Sequence, residues 1–161
     1  MGAGATACCK KFASWNGYTE KDGRVQKYIM RDYNKRTHRH LNCKTTKWCQ
    51  IAAIEAQLQS SSVKRAYITS GCKQSKAWYV KNKRWKKRGT KPVVGWQVFY
   101  TFKNKKGKRS SIPGHTGVIY GIKGAYMYVR EGNMGAVGRV GGRKIKWNSL
   151  DVQGFGVPYY K

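Results

Sequence analysis

Acidic side chains are scarce in this sequence: six Asp and Glu stand against 34 Lys and Arg, giving a formal net charge of +28. The one turn with an acidic start, Asp22-Gly23, lacks the cluster of carboxylates that calcium requires. No apolar run approaches the ~20 residues of a membrane-spanning helix. The opening MGAGATACCKKF lacks the apolar core of a secretion signal, so synthesis in the cytoplasm without a signal peptide is expected. The five cysteines (Cys8, Cys9, Cys43, Cys49, Cys72) are odd in number and include no pair of C-x-x-C units. That excludes a complete disulfide framework and speaks against structural zinc. No metal and no cofactor is expected.

What the chain does have is aromatic mass. Six Trp, eleven Tyr and four Phe in 161 residues can fill the core of one domain, spanning 1–161, and no repeat or linker divides it. The positive field implies polyanionic surroundings, which could be nucleic acid, acidic lipid or the anionic polymer of a bacterial wall. Its sign does not choose among the three. Gly2 and Thr6 fit the short M-G-x-x-x-[ST] acylation pattern. A lead of small residues into a first helix accounts for the same letters.

Helical patterns come first. One runs from Ala5 to Trp15, stopped at Gly17. A second covers Val25 to Tyr33, with Val25, Tyr28, Ile29 and Tyr33 on its inner face. Lys35 to His40 follows as a basic loop, in which His38 and His40 read as solvated surface. A third helix, capped by Thr45 or Thr46, extends to Ser60 with Trp48, Ile51, Ala52 and Leu58 facing the core. A fourth spans Ser75 to Lys83 with Ala77, Trp78 and Val80 inward, and Trp85 to Gly89 reads as a solvated turn. Beyond Pro92 the pattern alternates. Strands are expected at Gly95–Phe102, His115–Ile122, Ala125–Arg130, Val140–Trp147 and Gly154–Tyr159. Helices followed by an antiparallel meander make an α+β fold.

Three places carry chemistry. Cys49 falls in the first turn of a predicted helix beside Lys44 and Lys47, and both helix N-termini and nearby cations favour the thiolate. Its own N–H would face an oxyanion formed on an attacked carbonyl. The competing reading is an inert buried cysteine. His115 follows the Pro113-Gly114 turn and opens a strand, where Gly117 and Gly121 leave its face nearly bare. A surface histidine at a loop end is the plainer alternative. Glu131 and Asn133 close the next strand and could orient the imidazole, although Glu131 could equally neutralise Arg130.

The hairpin sets a geometric condition. A two-residue loop at Lys123-Gly124 makes His115 face Gly132 and turns Glu131 and Asn133 to the other side. Only an odd loop or one bulge restores either residue to the histidine's face.

Trp48-Cys49, Pro113-Gly114-His115-Thr116-Gly117-Val118 and Glu131-Gly132-Asn133 together resemble the CHAP family, the cysteine- and histidine-dependent amidohydrolases/peptidases. The likeness extends to Gly17–Lys21 with Lys27-Tyr28, and to Trp85–Gly89 with Pro92 and Gly95. It implies a papain-like (NlpC-like) fold in which N-terminal helices pack on an antiparallel sheet. It also implies Cys49 as nucleophile, His115 as base, and Glu131 with Asn133 around that histidine. The implied substrate is peptidoglycan, cut at the sugar–peptide amide or within its peptides, as by phage endolysins and bacterial autolysins. Partners would then be peptidoglycan and anionic wall polymers, met by a monomer after release from the cell. Two residues depart from the pattern: Trp96 after Gly95 where Asp is usual, and Gln50 after Cys49 where a small residue is usual, which could alter the wall of the cleft. Two other classes compete: a basic nucleic-acid-binding domain without catalysis, and a papain-like protease acting on proteins.

Overall fold

One helix, α3 (Cys49–Gln59), sits at the centre, and every residue from Cys49 to Gln57 is buried. A helix with Ala52, Ala53 and Ala56 along its length presents little bulk, so neighbours can close on all sides of it. The computed structural model describes residues 2–161. In it α1 (Ala3–Ser14), a π-helical turn (Gln26–Met30) and α2 (Arg31–Thr37) surround α3. Between α3 and the sheet region come β1 (Val63–Arg65), α4 (Cys72–Lys81) and β2 (Trp85–Lys87). Then follow β3 (Gln97–Tyr100), β4 (His115–Lys123), β5 (Tyr126–Met134), β6 (Arg139–Lys146), β7 (Val152–Gly156) and β8 (Tyr159–Tyr160).

The main sheet is antiparallel throughout, in the order β2-β7-β3-β4-β5-β6, and β1 pairs with β8 apart from it. Strands β3 to β6 form the expected meander, and β7 returns to the free side of β3. The fold is α+β. Its sheet divides two apolar layers. On the helical side Phe12, Ile29, Trp48, Ile51 and Val118 pack together. On the far side Val98, Tyr100, Ile119, Met127, Val129 and Phe155 do so.

Several local expectations fail for physical reasons. The π-turn adds a residue to the helical repeat, which turns Tyr28 outward to 42% exposure while Ile29 and Met30 are buried. Helix α2 runs on to Thr37, into the stretch read as loop, and His38 ends it in a left-handed conformation (φ 54°). Both His38 and His40 are exposed. Neither Thr45 nor Thr46 caps α3: its N-cap is Trp48, whose carbonyl accepts the Ala52 N–H. Helix α4 buries Cys72, Ser75 and Tyr79, leaving Ala77 and Val80 exposed. The stretch at Trp85–Lys87 is an edge strand on β7, not a turn.

Gly132 is where α3 and the sheet lock. A Cβ there would lie 2.7 Å from the Ala52 Cβ and 2.7 Å from the Trp48 ring, closer than real atoms approach. Its absence lets the first turn of α3 rest directly on β5.

Candidate active site

Cys49 is the first residue of α3, so its N–H is among the helix-terminal donors without an intrahelical partner. The thiol shares an open cleft with His115, and the His115 ring and the Thr116 backbone N–H both act to lower its pKa. Its position is fixed from behind: the Trp48 indole N–H donates to Glu20 at 2.8 Å, and Gly132 accepts the ring of Trp48 against β5. Gln50 turns inward instead of towards the cleft. It is buried and accepts from Gln97 at 2.7 Å, in a network that continues through Gln97 to Thr116 and Tyr79. The expectation that Gln50 alters the cleft wall is therefore corrected.

His115 begins β4, opposite Tyr100 of β3. Its Nε2 lies 2.8 Å from Glu131 Oε1, which leaves Nδ1 for the sulfur. Tyr100 stacks on the ring at 5.8 Å and Phe102 flanks it at 6.1 Å. The imidazole thus packs against the stacked Tyr100–Phe102 pair and is held at one nitrogen by a carboxylate.

The geometric condition from the hairpin is met, through a different loop. Lys123 pairs with Tyr126, so the two-residue loop is Gly124-Ala125, one step beyond the expected Lys123-Gly124. Tyr120 then bulges: the register shifts between Ile119 and Gly121. Below the bulge Val118 pairs with Arg130, and continuing that register puts Gly117 opposite Glu131 and His115 opposite Asn133. Gly117 supplies the necessary room. A Cβ there would meet the Glu131 Cγ at 2.6 Å and the Arg130 carbonyl oxygen at 2.6 Å.

Glu131 is fully buried with four donors around it. Besides His115, Tyr100 donates its hydroxyl at 2.8 Å, and Arg143 donates Nε at 2.9 Å and Nη2 at 3.0 Å. Burial opposes its ionisation, but the bonds from His115 and Arg143 prevail and hold its pKa below the ordinary carboxylate value. For His115, too, burial disfavours the charged ring, yet its bonds to Cys49 and Glu131 raise its pKa to about 9. The Cys49 pKa is pulled well down, first by a bond from the Cys72 thiol and then, against burial, by His115. All three shifts favour one state, a thiolate beside an imidazolium above a carboxylate.

Asn133 occupies a left-handed backbone position (φ 58°) at an irregularity between β5 and β6. It lines the cleft beside Cys49 and His115, but the bond to the histidine comes from Glu131 and not from Asn133. The cleft, about 330 Å³, is bounded also by Lys47, Phe102, Gly114 and Arg143. Sequence reading missed Arg143, Tyr100 and Cys72. Arg143 is one of 34 cations, and only the pairing of β6 with β5 singles it out. Cys72 had a detectable signal, its i, i+3, i+7 spacing with Ser75 and Tyr79.

The chain matches no protein-family model, no curated protein and no solved structure.

Proposed function

We propose that the protein is a cysteine amidase or endopeptidase of CHAP type that cuts an amide bond of bacterial peptidoglycan. The observation that carries this reading is the placement of Cys49 and His115 together in one open cleft, with His115 bonded to the buried Glu131 at 2.8 Å. A cysteine on a helix start and a histidine that opens an antiparallel strand support the papain-like (NlpC-like) arrangement that the resemblance implies.

In this reading the Cys49 thiolate attacks the amide carbon, forming a C–S bond. Negative charge moves to the carbonyl oxygen, where the Cys49 N–H at the start of α3 stabilises it. The His115 imidazolium gives its Nδ1 proton to the departing amine as the C–N bond breaks. His115, now neutral, takes a proton from water as its oxygen bonds to the thioester carbon; the C–S bond then breaks, which releases the carboxylic acid and restores the Cys49 thiolate beside the imidazolium. Glu131 stays ionised and keeps the ring oriented. The enzyme is made in the cytoplasm and works on the wall after release, in the manner of a phage or prophage lysin.

The surface supports a polyanionic partner. Exposed Tyr120 and Tyr126 lie under Arg130 and Lys144, with cation-to-ring distances of 4.4 and 4.7 Å. On a wall this face engages anionic polymers, and salt weakens it. The same face favours a second reading, nucleic-acid binding through stacked tyrosines.

Purified Gram-positive walls distinguish the two. Wild type clears them and frees new amino groups, while Cys49→Ala loses at least about 10⁴-fold in rate, as removal of a covalent nucleophile does. Tight DNA binding with no release of amino groups rejects the hydrolase reading.

A further inference from the structure

The hydrolytic steps give one close neighbour of the nucleophile no part beyond the bond its thiol shares with that of Cys49. Cys72 opens α4, and its sulfur lies 3.8 Å from that of Cys49. Both residues are buried, at 5% and 8% exposure, yet a side cleft of about 220 Å³ reaches both. It is bounded by Gly71, Gln74 and Pro113 and shares Lys47 and Gly114 with the main cleft. A small neutral oxidant can therefore reach the sulfurs without unfolding the protein.

A disulfide needs sulfurs about 2.05 Å apart, so the pair must close by roughly 1.8 Å. Cys72 is the first residue of α4, and its N-cap, Gly71, carries no side chain to pin that end of the helix. The other thiols are placed differently. Cys9 donates to the Ile119 carbonyl at 3.5 Å, and Cys8 is sealed on the inner face of α1.

We propose that Cys49 and Cys72 are the peroxidatic and resolving members of a reversible dithiol switch, closed by peroxides and reopened by thiols. In the first step the Cys49 thiolate attacks a peroxide oxygen. An S–O bond forms, the O–O bond breaks, and the departing alkoxide or hydroxide takes the His115 proton. Cys49 is now a sulfenic acid, oxidised by two electrons, and the peroxide has become an alcohol or water. In the second step the Cys72 sulfur attacks that of Cys49. An S–S bond forms, the S–O bond breaks, and the hydroxide leaves as water with the Cys72 proton. Two exchanges with an external thiol restore both cysteines. The closed form has no nucleophile, and the resolving step stops Cys49 from advancing to sulfinic acid, which thiols do not reverse. Only the loss of hydrolysis rests on the proposed function; the cross-link itself does not.

The full chain is treated with hydrogen peroxide, alkylated with iodoacetamide and cut with trypsin. Cleavage after Lys47, Lys64, Arg65 and Lys73 isolates Cys49 in peptide 48–64 and Cys72 in peptide 66–73. The switch predicts these two peptides joined and two hydrogens lighter, with wall clearing lost and then restored by dithiothreitol. In Cys72→Ser and Cys72→Ala, compared for fold by circular dichroism, the same treatment adds two or three oxygens to Cys49 and dithiothreitol restores nothing. Wild type that oxidises at Cys49 while Cys72 is still alkylated overturns the proposal. A cross-link in protein that clears no wall even when reduced supports the switch and rejects the hydrolase. Wall clearing without any cross-link does the reverse.

Discussion

Two of the six carboxylates, Glu55 and Glu131, are fully buried, and each meets an arginine that is about one-third exposed. They differ in what else surrounds them. Glu55, inside α3, receives Arg36 at 3.1 Å and the Gln59 amide at 3.1 Å, and Asp32 adds a repelling charge. Burial dominates there and its pKa is raised. Glu131 has His115, Tyr100 and two nitrogens of Arg143, and its pKa is lowered. Equal burial gives opposite signs because the donor sets are unequal. One carboxylate bridges helices. The other is held ionised, the state an orienting group for an imidazolium needs.

The difference fixes the pH response of each. With a lowered folded pKa, Glu131 contributes stability above the unfolded value of about 4.3, and loses it as pH falls through its folded value. With a raised folded pKa, Glu55 favours folding most below about 4.3, and that contribution disappears as pH rises through its folded value.

Glu131→Gln is the largest expected break in the comparison. It strands Arg143 and frees the imidazole, so activity on walls should fall about 10³-fold or more and stability by about 3 kcal/mol. Urea melts and initial rates of amine release check both figures. Unchanged activity would make Glu131 a structural residue of the same kind as Glu55. Gly117→Ala should come next. Its Cβ has no room beside Glu131 and the Arg130 carbonyl, so about 1–3 kcal/mol of stability should be lost, with a drop in rate as the carboxylate is displaced. A variant as active and stable as wild type would mean that Glu131 is not held through Gly117. Glu55→Gln should do least. At neutral pH it removes an ionised group that burial opposes, so stability should stay within about 1 kcal/mol of wild type or rise, and the advantage should vanish on acidification. A large loss at pH 7 would place Glu55 with Glu131.

How far the sequence could be read follows from the range of each interaction. The α+β order, the strand at His115 and the condition of an odd loop or one bulge all come from local pattern; the structure has the first two and meets the third with a bulge. The position of that bulge, at Tyr120, does not come from periodicity, nor does the loop at Gly124-Ala125. Strand β5 runs through Glu131, Gly132 and Asn133 to Met134 instead of ending before them, because β6 pairs with it that far. Arg143 and Tyr100 reach Glu131 only across strands, and nothing near them in the chain announces it. The cap on α3 was misread for a related reason. The N-cap Trp48 is held by Glu20, 28 residues away, a partner that no neighbouring residue announces.

The central claim is a Cys49 thiolate paired with a His115 imidazolium and sustained by Glu131. The rate at which iodoacetamide alkylates Cys49, followed against pH by peptide mapping of residues 48–64, reads that pair without any substrate. The account predicts a thiolate already reactive well below pH 8.5, the ordinary thiol value, with a second transition near pH 9 as His115 loses its proton. In Glu131→Gln that upper transition should move down. A single rise centred at the ordinary thiol value, the same in both proteins, would contradict it.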